Sequence, residues 1–350
     1  MIAVCKRLNN SKRSNLLVNT VQAKHVPCKP SEAFSMFTQM ATEVQHLKNA
    51  ERTLVVGFAE TATAIGMHVA RSLNLPYIHT TREMLSHSCI SFKEAHSHAP
   101  LHNLFVGNLF KYDHILFVED EVTTGNTILA AIEALDRHGT RSYTVLSYVN
   151  CMSVENKKCF EQAGVDVRFC TYVDPSYAEG EAHYCPTSTR LYTKGQAVMK
   201  HYVNVVGVDP RYGVSQTDYS AFLDRLKGSV PPVGSSCKML VLGTEECMYP
   251  AIWLGAYYEA AGHEVLTHST SRSTIHVEKS AGYPLTSRYD LRSMYDEQVN
   301  TYVYNLQKYD KVVIVTDANT LGSGSRHLLK VLREAGNTDI TLVQITYGDE

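Results

Sequence analysis

The chain has 350 residues, of which 44% are hydrophobic and 19% charged, with a formal net charge of −2. That composition is ordinary for a soluble globular protein of about two domains. The near-zero charge argues against a nucleic-acid-binding surface, and no apolar run approaches the roughly 20 residues that span a bilayer. The N-terminus, MIAVCKRLNN, meets Lys and Arg before any long apolar stretch, so it does not read as a secretory signal. Nine cysteines occur at irregular spacing with no CxxC pair, which suits reduced thiols in a cytoplasmic protein rather than a disulfide framework or a structural zinc site.

In chain order, residues 31–48 place Phe34, Phe37, Met40, Ala41, Val44 and Leu47 on one helical face. Residues 54–56 predict a short apolar strand ended by Gly57, residues 63–73 a helix, and residues 76–79 a second strand. Residues 115–118 predict a buried strand that enters a Thr/Gly-rich turn. The helix 128–138 follows, closed by Gly139, and then a strand at 143–149. Strands alternating with helices imply a mainly parallel sheet covered by helices. The segment KGSVPPVGSS (227–236) reads as a linker, with a new strand at 239–242 beyond it.

The second half then echoes the first. LVVGFAE (54–60) returns as LVLGTEE (240–246), HTTR (79–82) as HSTSR (268–272), and KYD (111–113) as KYD (308–310). Three echoes in one order predict a duplication, with domains at 1–230 and 237–350.

The strongest chemical signal is ILFVEDEVTTGNT (115–127). A small-residue loop opening a helix offers unpaired N–H groups, hydroxyl donors and the positive end of the helix dipole. Thr123, Thr124, Gly125, Asn126 and Thr127 are therefore expected to cradle a phosphate monoester, with Gly125 allowing close backbone approach. Adjacent carboxylates at a strand end accept hydrogen bonds from vicinal hydroxyls. Glu119 and Asp120 would hold two ribose hydroxyls and favour positive charge developing at the sugar C1.

This segment resembles the 5-phosphoribosyl diphosphate (PRPP) motif of type I phosphoribosyltransferases, with Glu121 standing where that family usually has an apolar residue. The resemblance implies an α/β fold of two Rossmann-like, mainly parallel phosphoribosyltransferase-like domains, the second degenerate. It implies a pyrophosphate-binding loop at GFAETAT (57–63), using amides around Ala59 aided by Thr61 and Thr63. Arg82 would contact pyrophosphate oxygens. Glu60 is left between facing the acceptor, facing a metal and capping the helix. A flexible hood would lie near FKEAHSH (92–98), where His96 and His98 are candidates for acid–base work. A zinc site is the alternative for His-x-His, without a third ligand in view. Mg²⁺ is the implied cofactor, held by Glu119 and Asp120 through the magnesium complex of PRPP.

The whole chain is similar to a narrower group: two-domain phosphoribosyltransferases of tellurite-resistance-associated gene clusters that end in a TRSP domain. The segments NSKRSNLLVN (10–19), KHVP (24–27), FKEAHSH, DPRYG (209–213), GTEECMYP (243–250), STSRSTI (269–275) and YPL (283–285) carry this likeness. The namesake Thr-Arg-Ser-Pro stands here as Ser271-Arg272-Ser273-Thr274. The group's role implies synthesis of a nucleoside-like metabolite from PRPP and a small-molecule, nitrogenous acceptor. Lys24, His25, Arg211, Glu246 and Arg272 are candidate acceptor contacts. VTDANTLGSG (315–324) aligns with the PRPP motif, its acid pair reduced to Thr316-Asp317. Its loop, with Gly322, Ser323 and Gly324, keeps the form of an anion site. A PRPP sensor without catalysis, a PRPP-synthetase-like enzyme and a reaction run on a nucleotide remain alternatives, and a homodimer is left open.

Overall fold

The computed structural model describes residues 1–9, 14–84, 88–92, 101–105, 107, 109–139, 141–180, 197–232 and 234–348. The candidates His96 and His98 lie outside the described residues. In chain order the elements are β1 (Ile2–Lys6), β2 (Asn15–Asn19), α1 (Pro30–Glu43), β3 (Thr53–Gly57), α2 (Thr63–Leu73), β4 (Tyr77–His79), β5 (Cys89–Phe92) and β6 (His102–Phe105). They continue with β7 (His114–Val122), α3 (Asn126–Asp136), β8 (Ser142–Asn150), α4 (Val154–Gln162), β9 (Asp166–Tyr172), β10 (His201–Gly207) and α5 (Gln216–Ser229). The last are β11 (Lys238–Gly243), α6 (Tyr249–Ala260), β12 (Glu264–Ser269), β13 (Arg288–Arg292), β14 (Asn300–Tyr304), β15 (Lys311–Thr316), α7 (Ser323–Glu334) and β16 (Ile340–Tyr347). No helix among the described residues is long and apolar enough to cross a membrane.

Two five-stranded sheets carry the fold. One has the order β4-β3-β7-β8-β9, the other β12-β11-β15-β16-β10. Every neighbouring pair in both is parallel. The order of four strands is therefore the same in both, and only the fifth differs in its source. β9 follows its sheet-mates in the chain, whereas β10 precedes them. Central strands such as β7 run Ile115-Leu-Phe-Val118 fully buried, as a strand covered on both faces requires. An antiparallel hairpin is inserted at the same point of each half, β5–β6 after β4 and β13–β14 after β12.

The duplication reaches the level of single hydrogen bonds. Thr80 N–H donates to Gly57 O at 2.9 Å, and Thr270 N–H to Gly243 O at 3.1 Å. Ala59 N–H donates to Thr80 Oγ1 at 2.9 Å, and Glu245 N–H to Thr270 Oγ1 at 3.0 Å. Asp113 N–H donates to Arg52 O and Asp310 N–H to Lys238 O, both at 2.9 Å. This register aligns Thr80-Thr81-Arg82 with Thr270-Ser271-Arg272. It leaves His268 one residue earlier than His79, since Gly57 pairs with His79 but Gly243 with Ser269.

The chain divides into two compact units, each made of separate stretches. One, the N-sheet unit, comprises Ser35–Ser176 and Val208–Ser220; the other, the C-sheet unit, comprises Met1–Phe34, Tyr177–Gly207 and Ala221–Glu350. These units do not coincide with 1–230 and 237–350. The expected linker 227–236 begins inside α5, which runs to Ser229 and stops before the prolines at 231 and 232. Each sheet is capped at its β4 or β12 edge by a residue from the opposite half of the sequence. Val214 bridges Tyr77 in the N-sheet unit, and Cys28 bridges Thr267 in the C-sheet unit. The C-sheet unit also takes the β1–β2 hairpin, whose Cys5, Leu16 and Val18 pack with Ile275, Leu285, Tyr302 and Tyr304.

An isolated fragment 237–350 would lack β10, the Cys28 cap and the β1–β2 side of that core. We expect it to give no cooperative thermal transition by circular dichroism, while the full chain does. A fragment melting as cooperatively as the full chain would contradict this account of the units.

Candidate active site

Near its end β7 carries Glu119, Asp120 and Glu121, all half-buried, before the buried Val122 that closes the strand. Burial first, and then the adjacent Asp120 carboxylate, hold Glu119 well above the usual carboxylate range. Asp120 is raised as well, by burial and by Glu121 beside it. The half-burial of Glu121 thus has a consequence: it adds negative charge at the acid pair. Arg82, from the segment after β4, acts on Glu119 in the opposite sense, stabilising its charge. The structure therefore brings Arg82 and the acid pair into one electrostatic neighbourhood.

The loop after β7 turns through Gly125, which has φ +75° and caps α3. A Cβ at Gly125 would lie 2.3 Å from the Phe160 ring, so both its conformation and its space demand glycine. Thr124 and Asn126 are exposed, Thr123 and Thr127 half-buried. Asn126 N–H donates to Thr124 Oγ1 at 3.3 Å, and the cap residue Gly125 places no side chain over the start of α3.

The loop between β3 and α2 holds Ala59 and Glu60, both buried, joined by a cis peptide bond. Phe58 N–H donates to Val118 O at 3.1 Å, tying this loop to the residue just before Glu119. Thr63 Oγ1 donates to Glu60 O at 3.2 Å and closes the first turn of α2. Thr61 is half-buried.

The acceptor candidates fall in different units. Arg211, in the N-sheet unit, is buried and held by Asp209 on its own turn at 2.9 and 3.2 Å. Lys24, His25, Glu246 and Arg272 are in the C-sheet unit. Lys24 Nζ donates to the carbonyls of Glu245 and Thr270, both at 3.0 Å, and His25 Nε2 lies 3.2 Å from Ser271 Oγ. Glu246 is buried. Arg272 Nε donates to the buried Glu245 carboxylate at 2.6 Å.

The second copy of the motif is filled by its own side chains. Asp317, which aligns with Asp120, accepts from the hydroxyls of Tyr295 and Tyr347. Glu245, which aligns with Ala59, accepts from Arg272, from Ser293 Oγ at 2.7 Å and from Met294 N–H at 3.3 Å. Glu297 accepts from Ser323 N–H at 2.6 Å, at the start of α7. The loop 322–324, expected to keep an anion site, is thus occupied by a carboxylate of the same chain. Gly324 is pressed against Ser293 O, 2.3 Å from where a Cβ would stand. These pairs join residues distant in the sequence, and no local pattern announces them. They come from the β13–β14 connection, which carries Ser293, Tyr295 and Glu297.

The family model for a phosphoribosyl transferase matches residues 1–181, and the model for the TRSP domain C-terminal to it matches residues 209–332. The first match covers about half of the chain, and the chain belongs to this phosphoribosyl transferase family. Its fold is that of two Rossmann-like phosphoribosyltransferase domains. Curated proteins give no match. Among solved structures it is similar to the adenine phosphoribosyltransferase of Giardia lamblia complexed with 9-deazaadenine, at 17% identity and TM-score 0.38, covering 49% of this chain and 94% of that one. The Rhodothermus marinus enzyme is similar at 15% and 0.37, with coverages of 49% and 94%. The Trypanosoma brucei enzyme in complex with AMP, pyrophosphate and ribose-5-phosphate is similar at 15% and 0.37, with coverages of 57% and 84%.

The raised Glu119 pKa has a measurable consequence for stability. The folded protein binds this proton more tightly than the unfolded chain, so the group favours folding below its ordinary pKa of 4.5. That contribution is lost as pH rises toward the folded value. Above that pH the folded chain must either ionise this carboxyl against burial and Asp120 or hold its proton, a cost that Glu119→Gln removes. We expect the ligand-free variant to melt above wild type at pH 7.5, each kcal/mol relieved being worth about 2–4 °C in a domain of 150–250 residues. The gap should close toward pH 4.5. A variant melting below wild type at pH 7.5 would show the acid to be a structural partner instead.

Proposed function

We propose that the chain transfers the 5-phosphoribosyl group of PRPP to a nitrogenous small-molecule acceptor, releasing pyrophosphate. The observation that carries this reading is the half-buried Glu119–Asp120 pair set directly before the Gly125 turn and the open start of α3, in a chain of the phosphoribosyl transferase family. Amides and hydroxyls of residues 123–127 would take the 5′-phosphate. Glu119 and Asp120 would accept the ribose hydroxyl hydrogen bonds, and once so bonded and near a metal they would remain ionised. Loop 58–61 and Arg82 would receive the diphosphate arm.

In the reaction the acceptor nitrogen forms a bond to C1 while the C1–O bond breaks, its electron pair leaving on pyrophosphate. The acid pair faces the positive charge that develops at the sugar, the point where preorganised charge has most effect. Two strand-end carboxylates suit Mg²⁺, which keeps waters and binds through one or two carboxylates plus substrate phosphates. Among the described residues no cluster of three or more His, Cys, Asp or Glu could cage a metal by itself. The ion would therefore enter with the diphosphate and neutralise the leaving group. Domains spanning 1–230 and 237–350 are proposed as the functional division, the second serving as structural support rather than as a second PRPP site, because its motif is already occupied.

Incubation with PRPP, magnesium and a metabolite extract, followed by mass spectrometry for a phosphoribosylated product, identifies the acceptor. Asp120→Asn should lower pyrophosphate release by about 10²–10³-fold, the usual scale for losing one preorganised electrostatic group, with an unchanged circular dichroism spectrum. Undiminished turnover in that variant would sink the reading, and PRPP binding without any acceptor consumed would favour a sensor.

A further inference from the structure

In the N-sheet unit the amide of Ala59 is held by a side chain that is itself held. Ala59 N–H donates to Thr80 Oγ1 at 2.9 Å, and Thr80 is completely buried. Because that oxygen accepts from Ala59, its own proton points elsewhere, and His102 Nδ1 stands 3.3 Å away. His102, the first residue of β6, is buried, stacked on Phe92 at 5.7 Å with an 8° interplanar angle and edge-on to Phe58 at 6.0 Å. A neutral imidazole with a bare Nδ1 completes the chain Ala59 N–H to Thr80 O–H to His102. Burial and the nearby Arg82 charge favour that neutral form, lowering the His102 pKa to about 4.

We propose that His102 is a positioning residue for phosphoribosyl transfer: through Thr80 it holds Ala59, whose N–H is turned to that hydroxyl, and so sets the rest of loop 58–61 for the diphosphate arm of PRPP. The relay also ties the β5–β6 hairpin to that loop, so hairpin and loop are set together. The duplicated half serves as an internal control. There Glu245 N–H still donates to Thr270 Oγ1. The bridges Thr81–Asn103 and Ser271–Tyr302 align His102 with Thr301, so the histidine is absent. The copy whose loop is filled by its own Glu245–Arg272 pair lacks the relay, and the copy with an open motif has it. The proposal rests on the phosphoribosyl-transfer reading above.

The test is calorimetric titration of the full-length chain with magnesium pyrophosphate, with PRPP and with ribose 5-phosphate. His102→Phe keeps the stacking but removes the nitrogen, and Thr80→Val keeps the shape but removes the hydroxyl. Each should weaken pyrophosphate and PRPP about 10-fold, the scale of one lost buried hydrogen bond, with ribose 5-phosphate unchanged. His102→Asn, which restores an acceptor, should recover most of the loss, and the double variant His102→Phe with Thr80→Val should be no worse than either single one. If phenylalanine at 102 prevents folding, Thr80→Val decides alone. Equal weakening of ribose 5-phosphate, or unchanged pyrophosphate affinity, overturns the relay while leaving the wild-type reading intact. A wild-type chain that binds none of the three overturns the phosphoribosyl reading and the relay with it.

Discussion

Two consecutive carboxylates at the end of a buried strand set the terms for everything around them. Glu119 and Asp120 are half-buried, raised in pKa by their own desolvation and crowded further by Glu121. Such a cluster costs stability unless cations or hydrogen-bond donors share it. Within the N-sheet unit, Arg82 supplies part of that compensation, and the rest is what a polyhydroxylated, metal-bearing ligand would bring. The turn that follows can only be made with glycine at 125, and it delivers the open start of α3 to the same strand end. The acid pair and the Thr/Gly loop are therefore consecutive in the chain because one strand–turn–helix builds both.

The duplicated half shows what happens when that compensation is built in. Asp317 keeps the carboxylate but is met by the hydroxyls of Tyr295 and Tyr347. The position of Glu119 has become Thr316, which accepts from Thr244 Oγ1 at 2.8 Å. The start of α7 is met by Glu297, and Arg272 by Glu245. In the second copy these positions all pair within the chain. A fold can keep its strand order after its site is lost, because the sheet depends on buried apolar strands and the site on a few terminal residues.

Most of the fold was legible from short-range pattern. The helix expected at 63–73 is α2, and the strands around 54, 76, 115, 143 and 239 are all present. The PRPP-like motif was legible because it is contiguous. The features that escaped are those made by distant residues. Val214 on Tyr77 and Cys28 on Thr267 pair segments more than 130 positions apart, so a linear cut near residue 230 could not foresee the division into units. Glu297 meets Ser323 only once β13, β14 and α7 are packed. The resemblance points to His96 and His98, which lie outside the described residues. His102 is described, and its burial against Phe58 and Phe92 is not legible from spacing.

The central claim is one phosphoribosyl site per chain, formed by the first copy of the motif, with the second copy closed by its own side chains. Calorimetric titration of the full-length protein with PRPP in the presence of magnesium measures this directly. The account predicts a stoichiometry of one PRPP per chain. A stoichiometry of two would show that Glu245, Tyr295 and Glu297 yield to ligand, and an absence of binding would remove the basis for assigning Glu119 and Asp120 to a phosphoribosyl site.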